Sequence, residues 1–118
     1  MLVAPNQRAQ DAAAYRQMAA EYYRVSSAHP HRNRHIAARD AGLRAFRLSL
    51  AALSDCRAQN VAQARMKLMA AVTILTDGNR AAVGRTFKRW RSTVNHAMKL
   101  FEDDIREALC SVKPGTKG

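Results

Sequence analysis

Tyr15, Met18, Tyr22 and Val25 recur at steps of 3, 4 and 3, the spacing of one helix face, while Arg8, Arg16 and Arg24 fall on other faces. With Asn6 after Pro5 as its N-cap, this pattern predicts a first helix over residues 7–27. Pro30, inside Ser26-Ser-Ala-His-Pro-His-Arg-Asn33, ends it, because proline lacks a donor and drives its predecessor out of the α region. A second helix is expected from Asn33 to Cys56, with Ile36, Leu43, Phe46, Leu50 and Leu53 as its buried seam. Asn60 is expected to cap a third helix through Val61, Ala64, Leu68, Val72 and Leu75, which Gly78 ends by taking positive φ. Asn79 then caps a fourth, where Val83, Phe87, Trp90, Val94, Ala97, Phe101, Ile105 and Ala108 form one stripe of about thirty residues.

Short connections leave consecutive helices side by side, so the expected fold is all-α, a small antiparallel four-helix bundle with a long C-terminal helix. Aromatic residues make up 6% of the chain, and its wealth of alanine, arginine, leucine and glutamine favours helix over strand. Residues 1–110 are expected to form a single helical domain and residues 111–118 a disordered tail with nothing to bury. The opening Met1-Leu-Val-Ala-Pro5 is too short for the apolar region of a signal peptide, and no stretch reaches the ~18 apolar residues of a membrane span. A cytoplasmic protein without membrane attachment is therefore expected. In up-down order the first and third connections share one end, which gathers His29, His31, Arg32, Arg34, His35, Arg80 and Arg85 beside two helix N-termini. Cys56 and Cys110 are expected to end near one another at the other end, and to bridge under oxidation if their Cα atoms lie within about 7 Å.

Charge changes the picture most. Twenty Lys and Arg face nine Asp and Glu, a net charge of +11, and no acid stands between Arg80 and Lys99. An excess of this kind implies a polyanionic partner. On the fourth helix Arg85, Lys88, Ser92 and Lys99 share a strip opposite Trp90, with Arg89, Asn95 and His96 beside it. This strip, together with Arg32, Arg34 and Arg80 at the bundle end, is the expected contact for DNA or RNA backbone, where each cation placed at a phosphate releases counterions. Arg91-Ser-Thr-Val-Asn-His-Ala-Met98 is composed like the recognition helix of a helix-turn-helix, but Phe87-Lys-Arg-Trp90 before it reads as unbroken helix.

The alternative is a module whose basic surface binds an acidic protein, as an export chaperone-like bundle or a small inhibitor from a phage or mobile element. Ala14-Tyr-Arg-Gln17, Pro30-His-Arg32 and Asp40-Ala-Gly-Leu43 resemble the opening of the flagellin-type export chaperones over about a third of the chain. That resemblance implies a small helical bundle with a groove for a partner; Arg32-Asn-Arg34 stands where the family has an apolar pair.

No enzymatic chemistry is expected. The chain has no glycine-rich phosphate loop and no Gly-x-Ser-x-Gly, and Cys56 has no partner histidine in its neighbourhood. His29, His31 and His35 are flanked by Arg32 and Arg34, which oppose a dication, and Glu102, Asp103, Asp104 and Glu107 have Lys99 and Arg106 for ion pairing. Neither a metal nor another cofactor is expected. Met18, Met66, Met69 and Met98 fit core filling better than an adaptable groove. Finally, at about 1.5 Å per residue the fourth helix would span roughly 45 Å and the third only ~25 Å. Met98, Phe101, Ile105 and Leu109 would then extend beyond their cover and form the interface of a possible homodimer.

Overall fold

The computed structural model describes residues 5–55, 59–110 and 112, and every regular element among them is helical. The elements are α1 (Pro5–Ala28), α2 (Arg34–Phe46), α3 (Leu50–Asp55), α4 (Gln59–Leu75), α5 (Arg80–Phe87) and α6 (Arg91–Leu109). α1 packs against α2 and α6, and α4 packs against α6 and α2. α3 and α5 are the two short elements, of 6 and 8 residues.

The first helix starts at Pro5, so Asn6 lies inside it and does not cap it; proline fits the first turn because its missing N–H has no helical acceptor there. Its expected stripe holds, with Tyr15, Met18 and Tyr22 buried and Val25 half-buried against them. Asn33 caps α2 by accepting from the Ile36 N–H at 3.0 Å, and Asn79 caps α5 by accepting from the Ala82 N–H at 3.0 Å. Gly78 takes φ +75 after α4, as its position required.

Two expected helices are each broken. The second stops at Phe46, where Arg47 adopts the left-handed conformation (φ 59) and the chain re-enters a helix at Leu50. Its seam holds in part: Leu43 and Leu53 are buried and Phe46 packs against the core, but Ala37, Ala38 and Ala41 are buried with them, whereas Ile36 and Leu50 stay 40% and 47% exposed. The cause is close approach. A Cβ on Gly42 would lie 2.5 Å from Leu68 Cδ2 and 3.1 Å from Met18 Cε, so α2 meets α1 and α4 largely through small residues, and Ile36 is left outside the contact.

The fourth expected helix stops at Phe87 and restarts at Arg91. Val83, Phe87, Val94, Ala97, Ile105 and Ala108 of its stripe are buried and Phe101 is partly so, but Trp90 is 81% exposed. The break changes the dimer expectation too. Met98 and Ile105 are buried in the chain's own core, and Phe101 and Leu109 pack against it, so this stripe is covered from within; the exposed apolar residue of α6 is Leu100. The expected overhang is absent because α1, 24 residues long, lies along α6 and covers what α4 does not. Met18 and Met69 are also core, and Met66 packs at its edge. Val112 packs against the same core, so the chain stays attached past Cys110. The rest of the expected tail, and Cys56 with its expected approach to Cys110, lie outside the described residues. No helix among the described residues is long and apolar enough to cross a membrane.

Candidate functional site

The turn between α5 and α6 is built by backbone hydrogen bonds. The Lys88 N–H donates to the Arg85 carbonyl at 3.2 Å and the Arg89 N–H to the Gly84 carbonyl at 2.8 Å, the paired closure of a helix whose following residue is left-handed. Lys88 holds that position at φ 58, which glycine usually fills. The glycine this turn needs stands four residues earlier. A Cβ on Gly84 would meet the Arg89 carbonyl oxygen at 2.7 Å, so only glycine lets the turn fold back onto α5. Trp90 is then extended (ψ 151) and starts α6 without a side-chain cap.

The bend is steep. Arg80 Nη1 donates to Asn95 Oδ1 at 2.8 Å, fifteen residues along the chain. In one continuous helix those positions would be about 22 Å apart, far beyond the joint reach of the two side chains. α5 and α6 therefore close toward each other as helix, three-residue turn and helix, with Val83, Phe87 and Val94 buried between them and the rest of the core. The expectation that Phe87–Trp90 continues one helix is thereby corrected: the chain ends α5 there and turns into α6. The signal was present in Gly84 and not in the turn itself.

At this corner Arg85, Lys88 and Trp90 are exposed and Arg89 is half-buried, its Nη1 donating to the Lys88 carbonyl at 3.1 Å. Gly84, Arg85, Lys88, Arg89 and Trp90 line one open hollow of about 470 Å³. The expected strip is thus rearranged: Arg85 and Lys88 stand with Trp90, not opposite it. Ser92, His96 and Lys99 continue along the exposed face of α6, with Asn95 half-buried behind them and held by Arg80. Among the described residues no acid pairs with Arg85, Lys88, Arg91 or Lys99. Beyond Lys99 the helix changes sign, and its acids meet other cations: Glu102 accepts from Arg106 at 2.7 Å within α6, and Asp104 from Arg8 of α1 at 2.7 Å.

At the expected arginine-rich end of the bundle an acid stands beside the cations. His35 Nε2 lies 3.1 Å from Asp77 Oδ1, which brings the start of α2 to the turn after α4, as the expected order of connections required. Asp77 occupies the centre. Arg34 lies 4.0 Å from its other oxygen, Arg80 turns away to Asn95, and Arg32 is exposed on the connection before α2. The N–H of Asn79, and then His35, hold the Asp77 carboxyl below its usual range. The charged carboxylate partly offsets Arg34 and His35. His29 and His31 are exposed, and no cluster with metal-ligand geometry forms among the described residues.

One feature had no sequence signal. A groove of about 1020 Å³ runs between α1, α4 and α6, walled by Tyr15 and Phe101, with Lys67 and Asp11 paired across it at 2.7 Å. Burial, then the charges of Asp11 and Asp104, hold the Tyr15 phenol well above its ordinary value, so it stays protonated. Arg8 and Lys67 of this groove are paired with Asp104 and Asp11, unlike the cations of the α5–α6 corner. Against family models, curated proteins and solved structures alike, the chain finds no match, and the likeness of its opening to export chaperones is not carried further by these comparisons.

Proposed function

We propose that the protein is a non-enzymatic module that binds the phosphate backbone of nucleic acid through the α5–α6 corner and the first turns of α6. In this reading α1, α2, α4 and α6 serve as a four-helix scaffold, and the corner projects from it. The observation that carries it is the segregation of charge: from Arg80 to Lys99 six cations and no acid are folded into one bent unit, while the acids of α6 are confined to Glu102 and beyond. Paired cations on a surface are solvated and neutral in effect, but an unopposed set is a standing attraction for polyanions. Arg85, Lys88, Arg91 and Lys99 supply that set, and Ser92 and His96 add hydrogen-bonding groups beside it. The bundle end contributes less, because Asp77 offsets Arg34 and His35.

The test is binding of labelled single-stranded and duplex nucleic acid over a salt series, for the wild type and for Arg85→Glu, Lys88→Glu and Lys99→Glu combined. All three side chains are exposed, so circular dichroism is expected to show an unchanged fold. The triple variant is expected to lose binding by more than about a hundredfold at low salt and to flatten the salt slope by about 1 for each phosphate contact removed. A triple variant that binds like wild type removes this surface from the reading. A wild type that binds no nucleic acid at low salt turns the same surface over to an acidic protein partner.

A further inference from the structure

Trp90 is the one tryptophan of the chain, and its indole is 81% exposed at the tip of the α5–α6 corner. Tryptophan left in water at a convex corner gains nothing for the fold. Its N–H has no partner among the described residues, and the helices on either side close through Val83, Phe87 and Val94 without it. The surroundings of the ring are specific. The open hollow beside it, of about 470 Å³, is lined by Gly84, Arg85, Lys88 and Arg89. An aromatic wall and a cationic rim are the elements that receive a planar base while holding the phosphates on either side of it.

We infer that this hollow takes an unpaired nucleobase, stacked on Trp90, of a single-stranded nucleic acid. The inference rests on the nucleic-acid reading above and names its substrate class. A duplex offers phosphates to the corner but keeps the faces of its bases stacked on one another, so it leaves the indole unused; an unpaired base presents a free π-face. A carboxylate-rich protein surface matches the cations but gives the ring no planar partner.

Because the chain has a single tryptophan, excitation selective for indole reads this position alone. The probes are a short single-stranded oligonucleotide, the same strand with abasic sites throughout, the same sequence as a duplex, and inorganic polyphosphate. The single strand is expected to quench and shift the emission, and the abasic strand and polyphosphate to bind without doing so. Trp90→Ala is expected to weaken single-strand binding by roughly fivefold to a hundredfold and to leave the abasic strand and polyphosphate within about twofold, while Trp90→Phe restores most of the loss. Equal quenching by the abasic strand, or a Trp90→Ala variant that binds the normal strand like wild type, overturns the stacking and leaves the backbone contact standing. A duplex bound more tightly than the single strand with unchanged emission overturns it too, in favour of α6 lying in a groove. Failure of the wild type to bind every probe overturns both readings together.

Discussion

At Phe46-Arg47-Leu48 and again at Phe87-Lys88-Arg89, a helix ends on a phenylalanine, a cation takes the left-handed conformation and the next N–H reaches back to close the last turn. The bonds match closely: Leu48 to Leu43 at 2.9 Å and Arg89 to Gly84 at 2.8 Å. Past the turn the two corners diverge. Leu48 packs against the core and Arg44 is paired with Glu21, which leaves Arg47 the one exposed cation of the α2–α3 corner without an acid partner among the described residues. Arg89 and Trp90 lead the other corner outward, and no acid answers Arg85 or Lys88 among the described residues. Backbone strain at a cationic residue is therefore no mark of function by itself, since Arg47 carries the same strain within the scaffold. The mark is strain that sets an unburied aromatic among unopposed charges.

The two corners also use glycine differently, and this gives the largest expected contrast. At Gly84 an added Cβ meets backbone of its own turn at 2.7 Å, whereas at Gly42 it meets side-chain tips of Leu68 and Met18. Gly84→Ala is expected to cost about 2 kcal/mol despite alanine's better helix propensity, and Gly42→Ala under about 1 kcal/mol, as read by urea unfolding. Gly84→Ala is also expected to weaken nucleic-acid binding, because the turn must open to admit the methyl group. Equal costs at both sites would show that the α5–α6 turn is looser than its hydrogen bonds indicate.

Next in size are the left-handed residues. Arg47→Gly and Lys88→Gly are each expected to stabilise the fold by about 0.5–1 kcal/mol, the relief of a side chain held at positive φ less the added freedom of the unfolded chain. Only Lys88→Gly is expected to weaken nucleic-acid binding, and to lower the salt slope by about 1. Loss of binding in Arg47→Gly would make the charge of the whole surface, not the corner, responsible.

The smallest effect concerns the helix entrances. Asn33 and Asn79 cap alike, but only the second has Asp77 before it. The folded carboxyl is held below its unfolded value of about 4, so it contributes stability that is present above that value and is lost as pH falls through the lower, folded one. Asp77→Asn is expected to lower stability slightly near neutral pH and to remove this part of the decline in acid, measured as urea midpoints from about pH 6 to about pH 3. An unchanged acid profile would mean that Asp77 does not tie α2 to the α4–α5 turn in solution.

By itself the sequence determined the helical class, the cap at Asn79, the break at Gly78 and the stripes of α1 and α4, because these follow from periodicity and local backbone chemistry; the caps expected at Asn6 and Asn60 fall inside α1 and α4. It also determined the acid-free run of cations from Arg80 to Lys99 and the candidate contact residues within it. Tertiary structure decided where that run bends and what each cation meets. Phe87-Lys-Arg-Trp90 continues a helical pattern perfectly well in one dimension, and only the return of the Arg89 carbonyl onto Gly84 makes the break visible. In the same way Arg80 was tied to Asn95, and Asp77 was set among the arginines of the bundle end, by contacts between positions far apart in the chain. Met98 and Ile105 became core and Trp90 became surface for the same reason: a stripe states that residues share a face, but which neighbour covers that face depends on helix packing, a property of pairs of elements that no single helical period contains.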